Sequence, residues 1–213
     1  MPDYVLKVSV VIFSLSEDAL QVLLTPTPDG QWEFPGQPWK TAESFEDTAK
    51  RAFSDQLKRR EVYLEQLYTY GDPLHGTNPR SVSVVYFALI PADAHLNPPS
   101  GKMCWYCLDQ LPSMSDNQDE ILSYGLRRLR YKLEYTAVGF ELLPDEFTLS
   151  ELQHTYEIIL GEKLDKRNFR RRILDAGIIE ETPRRRSGEG RPARLYRYRP
   201  DAVAYVKARR LFP

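Results

Sequence analysis

The 213-residue sequence predicts an α+β chain in two unlike parts, a mixed domain of strands and helices over residues 1–143 and a winged helix-turn-helix over 144–213. Three observations predict it. The first part reads as period-two apolar runs interrupted by two amphipathic helices. The second reads as two capped helices, a short turn between them, and a basic two-stranded ribbon. Charge divides the same way: from Asp145 onward there are 16 Lys/Arg against 11 Asp/Glu, and before it 13 against 19, so a net of −1 hides one acidic and one basic half. Within 163–199 the imbalance is sharper, with 13 basic and 5 acidic residues, the composition of a segment that meets a polyanion.

Along the first part, "YVLKVSVVIFSL" and "ALQVLLTP" alternate as strands around the polar turn "SED". "TPTPDGQWEFPGQPW" is a Pro/Gly-rich loop with one short strand, and Ser44–Leu57 is the first helix. "LEQLYTYGDPLHGTNPRSVSVVYFALIPA" gives two strands around a long loop, and "KMCWYCLDQLP" a further strand. Apolar residues at 121, 122, 126, 129 and 133 make Asp119–Leu133 an amphipathic helix, after which Thr136–Pro144 is a connector. The apolar start of the chain alternates and is broken by Lys7, unlike a secretory signal. No stretch reaches the roughly 20 apolar residues of a membrane span, so no membrane partner is expected. Cys104 and Cys107 could form a redox or zinc half-site. With no second pair and three His in the chain they read instead as strand residues flanking Trp105, in a reducing cytoplasm.

The tail carries the clearest chemistry. Thr148 with Glu151 is a capping box, Gly161 ends that helix, Asp165 caps "KRNFRRRILDA", and Gly177 terminates it. Phe169, Ile173 and Ala176 fall on one face, to be buried, and Arg167, Arg170 and Arg171 on another, with Lys166, Asn168 and Arg172 adjoining. Arg and Asn are the side chains that meet guanine and adenine edges bidentately in a major groove. The hairpin "PRRRSGEGRP" offers Arg185, Arg191 and Arg194 to phosphates or a minor groove. These residues, with Thr148 at the helix start, are the expected contacts to double-stranded DNA.

"FPGQPWKTAESFEDTAKRAFSDQLKR" resembles a degenerate Nudix box, G-x5-E-x7-R-E-U-x-E-E-x-G-U, where U is a bulky apolar residue. Glu43, Arg51 and Phe53 match in register, whereas Gln37 replaces the first Gly, Ala52 the Glu after the Arg, Asp55–Gln56 the Glu pair, and Lys58 the later Gly. In Nudix hydrolases the three Glu hold divalent cations, usually magnesium, on one helical face, and the resemblance leaves only Asp55 of them. "KLEYT", "LLPDEFTLSELQ", "LDKRNFRRRIL" and "GRPARLYRY" closely resemble the NrtR family, Nudix-related transcriptional regulators of NAD metabolism. That resemblance implies a Nudix-like α/β/α sandwich that senses a ligand and dimerises, followed by a winged helix on palindromic operators, with ADP-ribose as the common effector. It implies a repressor of NAD-related or sugar-phosphate genes. Some members of the family hydrolyse ADP-ribose and others do not, and the departures at Gln37, Ala52 and Gln56 place this chain with those that do not, with no catalytic residue, metal or cofactor expected. The expected ligand cleft comprises Phe34, Gly36, Gln37, Arg51, Asp55 and Arg80; Phe34 would stack on a base, and Arg51 would buttress the loop through Glu43. Two other readings stand beside it: an active hydrolase of nucleoside-diphosphate sugars with an accessory C-terminal domain, and a DNA-binding protein whose first domain is a scaffold without a ligand.

Overall fold

A computed structural model describes residues 4–16, 18–53, 62–71, 80–94, 103–115, 117–187, 192–199 and 201–202. Its contacts group into two compact units, the first formed by Met1–Ser14, Leu20–Ile90 and Ala94–Gly125, the second by Leu15–Ala19, Pro91–Asp93 and Leu126–Pro213. Among the described residues no helix is long and apolar enough to cross a membrane.

The first unit is built on a mixed sheet. Its strands are β1 (Tyr4–Ser16), β2 (Ala19–Pro26), β3 (Trp32–Glu33), β4 (Gly36–Pro38), β5 (Tyr63–Gly71), β6 (Arg80–Ile90) and β7 (Cys104–Cys107). The order is β3-β2-β1-β6-β5, with β4 also on β1 and β7 on β2. β1 and β6 run parallel from Tyr4↔Arg80 to Ser14↔Ile90, and β5 returns antiparallel on β6 with a bulge between Gln66 and Tyr68. A strand paired on both edges and covered on both faces loses its alternation of polar and apolar residues, which is why "VVIF" in β1 is continuous. Val8, Val10 and Ile12 join Val84, Tyr86, Ala88 and Ile90 in one core, closed by Ala49, Ala52 and Phe53 of helix α1 (Phe45–Phe53). On the other face Phe13 and Leu67 lie against Gly125 of α2 (Gln118–Tyr135), where an added Cβ would sit 3.5 Å from Leu67. Helices on both faces of the sheet give the expected α/β/α sandwich. Leu57 lies outside the described residues, and the CWYC segment is strand β7.

In the second unit a 3₁₀ segment (Val138–Leu142) leads to α3 (Leu149–Leu160), α4 (Lys166–Asp175), β8 (Ile179–Arg186) and β9 (Ala193–Tyr198). Both caps form as the sequence predicts: the Thr148 hydroxyl accepts from the Glu151 amide and Glu151 accepts from the Thr148 amide, while Asp165 accepts from the Asn168 amide. Gly161 and Gly177 follow the two helices with φ of 76° and 67°, left-handed conformations that cost glycine nothing and a β-carbon about 1–2 kcal/mol. The turn between the helices is pinned from α3. Gln153 Nε2 donates to the Leu164 carbonyl, and Glu157 Oε1 accepts from the Leu164 amide, both at 3.0 Å. Leu152, Tyr156 and Ile159 of α3 and Phe169 and Ile173 of α4 are all buried, with the Tyr156 and Phe169 rings edge to face at 5.5 Å. Phe147 pairs with Tyr196 and extends the β8–β9 ribbon by one bridge.

One boundary differs from expectation. Arg184, Arg185 and Arg186, placed in the turn by the sequence, belong to strand β8, which passes through Pro183. Proline cannot donate to a ladder, and it is tolerated here because the β8–β9 register shifts between Glu181 and Arg185, a bulge at which no donor is required.

Candidate functional site

Two sites follow from these frameworks, one in each unit. In the first, β4 lies antiparallel on β1 with Val8↔Gln37 and Ser9↔Gly36, and the Trp39 amide donates to the Leu6 carbonyl at 3.0 Å, so the loop ahead of α1 is held flat on the sheet. Gly36 has no room for a side chain: a Cβ would stand 2.5 Å from Lys7 Cε and 2.8 Å from Ser9 Oγ. Lys7 is itself anchored by an ion pair to Glu33 at 2.6 Å. The loop then closes on α1 through Glu43 and Arg51. Arg51 donates to Glu43 Oε2 from Nε at 3.2 Å and from Nη2 at 2.9 Å, to Gln37 Oε1 from Nη1 at 3.2 Å, and to the Pro38 carbonyl from Nη2 at 3.2 Å. Thr48 adds a hydroxyl to the same Glu43 oxygen, and the Trp39 indole donates to the Glu43 carbonyl at 2.8 Å with its ring against Phe45. The Arg51 hydrogen bonds hold the Glu43 carboxyl below its ordinary range, with a smaller contribution from Thr48, while partial burial works against them.

Glu43 and Arg51 therefore meet as a buttress, and Gln37 is drawn into it. Because the Gln37 amide oxygen accepts from Arg51, its Nε2 donors are directed away from the guanidinium. Phe34 is 1 % exposed, so its ring serves packing and offers no face to a base; Tyr86 is likewise a core residue, its phenol pKa raised by burial and then by Glu46. Ala52 is 4 % exposed and contributes a methyl to the core where the box has a metal ligand. Asp55 and the Arg80 side chain lie outside the described residues. Sequence reasoning missed Lys7 and Trp39, which join the loop only through the β1–β4 pairing.

In the second unit α4 presents Lys166, Arg167 and Arg171 to solvent, with Asn168 and Arg172 half-buried beside them. Arg171 Nη2 donates to Asn168 Oδ1 at 3.0 Å, one turn apart on the same face. Among the described residues none of Lys166, Arg167, Arg171 and Arg172 meets a carboxylate. Arg170 departs from that face. It is half-buried and reaches back to Ser150 Oγ of α3 at 3.0 Å, with its Nε buried and lacking a hydrogen-bond partner. The Thr148 hydroxyl is committed to the α3 cap and buried, which leaves it structural in this conformation.

The ribbon is a contrast. Arg184 pairs with Glu146 at 2.8 Å, Arg186 with Glu151, and Arg197 with Glu180 at 2.5 Å. Arg185 and Arg194, opposite each other in register, both reach Glu181, at 2.9 and 2.8 Å. Beneath the bulge lies a groove of about 250 Å³ lined by Glu146, Glu181, Thr182, Pro183, Arg184 and Arg197, over a Thr182 hydroxyl that is buried without a hydrogen-bond partner. Arg191 lies outside the described residues. The carboxylates facing the wing were not foreseen, since Glu146 and Glu151 lie some 35 to 40 residues from their arginines.

Residues 5–125 match the NUDIX domain model and residues 139–198 the NrtR DNA-binding winged helix domain. The chain is 34% identical over 208 residues to the ADPR responsive transcriptional repressor NtrR of Acinetobacter baylyi, an alignment covering 92% of this chain and 83% of that protein. This chain belongs to the NrtR family. A crystal structure of Shewanella oneidensis NrtR complexed with a 27mer DNA superposes with a TM-score of 0.84 at 32% identity, covering 94% of this chain and 96% of that one. A cocrystal structure of the NUDIX domain of the same NrtR complexed with ADP ribose matches at 25% identity with a TM-score of 0.51, covering 61% of this chain and 90% of that one. The NrtR winged-helix match spans α3, α4 and both strands of the ribbon.

Proposed function

We propose that the chain is a DNA-binding transcriptional repressor whose Nudix domain senses ADP-ribose without hydrolysing it. The observation that carries the reading is the outer face of α4. The helix is fixed from behind by Phe169 and Ile173 and from its start by Asp165, and it holds Lys166, Arg167 and Arg171 in solvent, with Arg172 half-buried at its edge. A helix so held inserts as one rigid element into a major groove, where Arg171 and Asn168 meet base edges and their neighbours meet phosphates. The relatives support it: the Acinetobacter protein is named a repressor responsive to ADPR, and the Shewanella protein was crystallised with DNA and, as its NUDIX domain, with ADP ribose.

For the effector, the proposed contacts are the loop at Gly36–Gln37 with Asp55 and Arg80, and Arg51 acts through Glu43 and Gln37 by holding that loop. Magnesium chemistry does not fit the residues present. A hard dication needs several oxygen ligands, position 52 supplies a buried methyl group, and position 56 an amide. The protein acts in the cytoplasm as a homodimer divided near residue 143 into sensor and reader. Its operator is an inverted repeat with half-sites about one helical turn or a multiple apart, since a two-fold pair presents two copies of α4. The regulated genes belong to NAD-related metabolism.

The test is selection of operators from a random duplex library by the full-length protein, followed by titration of the selected duplex with ADP-ribose and a parallel assay of magnesium-dependent ADP-ribose hydrolysis. Enrichment of an inverted repeat, a change in affinity with ADP-ribose, and hydrolysis at background are expected. Failure to enrich any sequence overturns the DNA-binding reading. Turnover abolished by Asp55→Ala shows instead a hydrolase.

A further inference from the structure

Glu181 stands at a position that neither strand pairing nor core packing requires. Its side chain is exposed, yet it accepts from two arginines at once: Arg185 on its own strand at 2.9 Å and Arg194 on the partner strand at 2.8 Å. Arg185 and Arg194 are themselves directly opposite in the β8–β9 register, an arrangement of like charges that disfavours the hairpin unless an anion lies between them. In a straight strand, residues four apart are about 13 Å from each other, beyond easy reach for this pair. The register shift between Glu181 and Arg185 bends β8 at Thr182–Arg184 and lets the two meet. The carboxylate thus occupies the place between the two guanidiniums that a backbone phosphate would otherwise take. By contrast, the α4 cations Lys166, Arg167, Arg171 and Arg172 meet no such acid among the described residues.

We infer that Glu181 is a specificity-determining residue: it holds Arg185 and Arg194 off the phosphates of DNA that α4 does not read. The inference rests on the DNA-binding reading above and adds to it. Phosphate contacts supply affinity without sequence information, so each wing arginine freed in the unbound protein strengthens binding to every duplex alike. An exposed ion pair is a weak tie. On an operator, where α4 makes its base contacts and the wing is held in place, phosphates can displace Glu181. On other DNA α4 makes no base contacts to hold the wing against phosphate, and the tie holds. Glu181 is in this sense a positioning residue, acting through the two arginines and touching no base itself.

The experiment measures binding of the full-length protein to a mixed-sequence duplex of about 30 bp by fluorescence anisotropy across a series of KCl concentrations, for the wild type and Glu181→Gln. The glutamine keeps the size and an acceptor oxygen, and the site is exposed, so the fold is retained; circular dichroism checks it. Two freed arginines neutralise two further phosphates, so the slope of log K against log salt becomes steeper by about 1.8, and low-salt affinity rises about tenfold. Adding Arg185→Ala and Arg194→Ala to Glu181→Gln removes the gain. A salt slope unchanged by Glu181→Gln, with measurable wild-type binding, overturns the inference and leaves the DNA-binding reading standing. Weaker binding by Glu181→Gln overturns it as well, because Glu181 would then be arranging the arginines for phosphate. No binding by either protein at any salt overturns both.

Discussion

The turn of the helix-turn-helix depends on one carboxylate, and removing it should be felt in stability. Glu157 accepts from the Leu164 amide at 3.0 Å and from Gln153 Nε2 at 2.9 Å through one oxygen, and from Lys163 Nζ at 3.0 Å through the other. These contacts, the Leu164 amide foremost and Gln153 next, draw its pKa from 4.5 down to about 2. A shift of that size corresponds to about 3 kcal/mol as a ceiling. Lys163 is largely in water and its share is screened, so the expected contribution is about 2 kcal/mol. Glu157→Ala leaves the Leu164 amide without its acceptor and Gln153 Nε2 with the Leu164 carbonyl alone, and should cost about 2–3 kcal/mol. Glu157→Gln keeps an oxygen for those two donors and should cost about 1 kcal/mol. Because the folded pKa lies below the unfolded one, the stabilisation is complete above about pH 5. It declines as pH falls from 4.5 and is gone below about 2, so the gap between wild type and Glu157→Gln closes across that window. Urea unfolding followed by circular dichroism at pH 6 and pH 3 measures both effects. Equal midpoints for wild type and Glu157→Ala at pH 6, or a gap to Glu157→Gln that widens in acid, would refute the reasoning.

Arg171→Ala should weaken binding to a selected operator by about 1–3 kcal/mol and relax preference at one position per half-site, read by anisotropy on single-base variants, with an unchanged melting curve. Phe169→Ala, at a residue buried against Tyr156, should cost about 3–5 kcal/mol in thermal unfolding and abolish operator binding with it. If ADP-ribose alters operator affinity by some factor, operator must alter ADP-ribose affinity by the same factor, and calorimetry with and without DNA checks it. Equal ADP-ribose affinities in the two titrations would remove it as an effector.

Most of the second unit was legible because its signals are local. Thr148 with Glu151, Asp165, Gly161 and Gly177 specify where two helices begin and end within a few residues of themselves, and the Phe169–Ile173 spacing specifies which face is buried. Pro183 misled because a local rule, that proline ends a strand, yields to a bulge visible only in the pairing. The strands and helices of the first unit were legible from alternation and helical spacing, whereas the sandwich they form and the Glu43–Arg51 buttress were legible only through the resemblance to the Nudix box. The fate of Phe34 was not, since an aromatic next to Pro-Gly reads equally as an exposed platform or as a core residue, and the strands packed around it decide. The same limit hid the state of the wing: seven arginines between 184 and 199 read as free charge until Glu146, Glu151, Glu180 and Glu181 fold against five of them, Arg184, Arg185, Arg186, Arg194 and Arg197.

The Trp39 indole, hydrogen-bonded to the Glu43 carbonyl and set against Phe45, lies within the loop-helix junction proposed to meet the effector. Trp32 and Trp105 are the other two indoles of the chain, and all three belong to the first unit. Excited near 295 nm, where tyrosine absorbs little, the protein therefore emits from its sensor alone. The second unit has no indole to report operator docking on α4, so a spectral shift or quench seen on adding DNA is read at the indoles of the first unit, obtained without a dye.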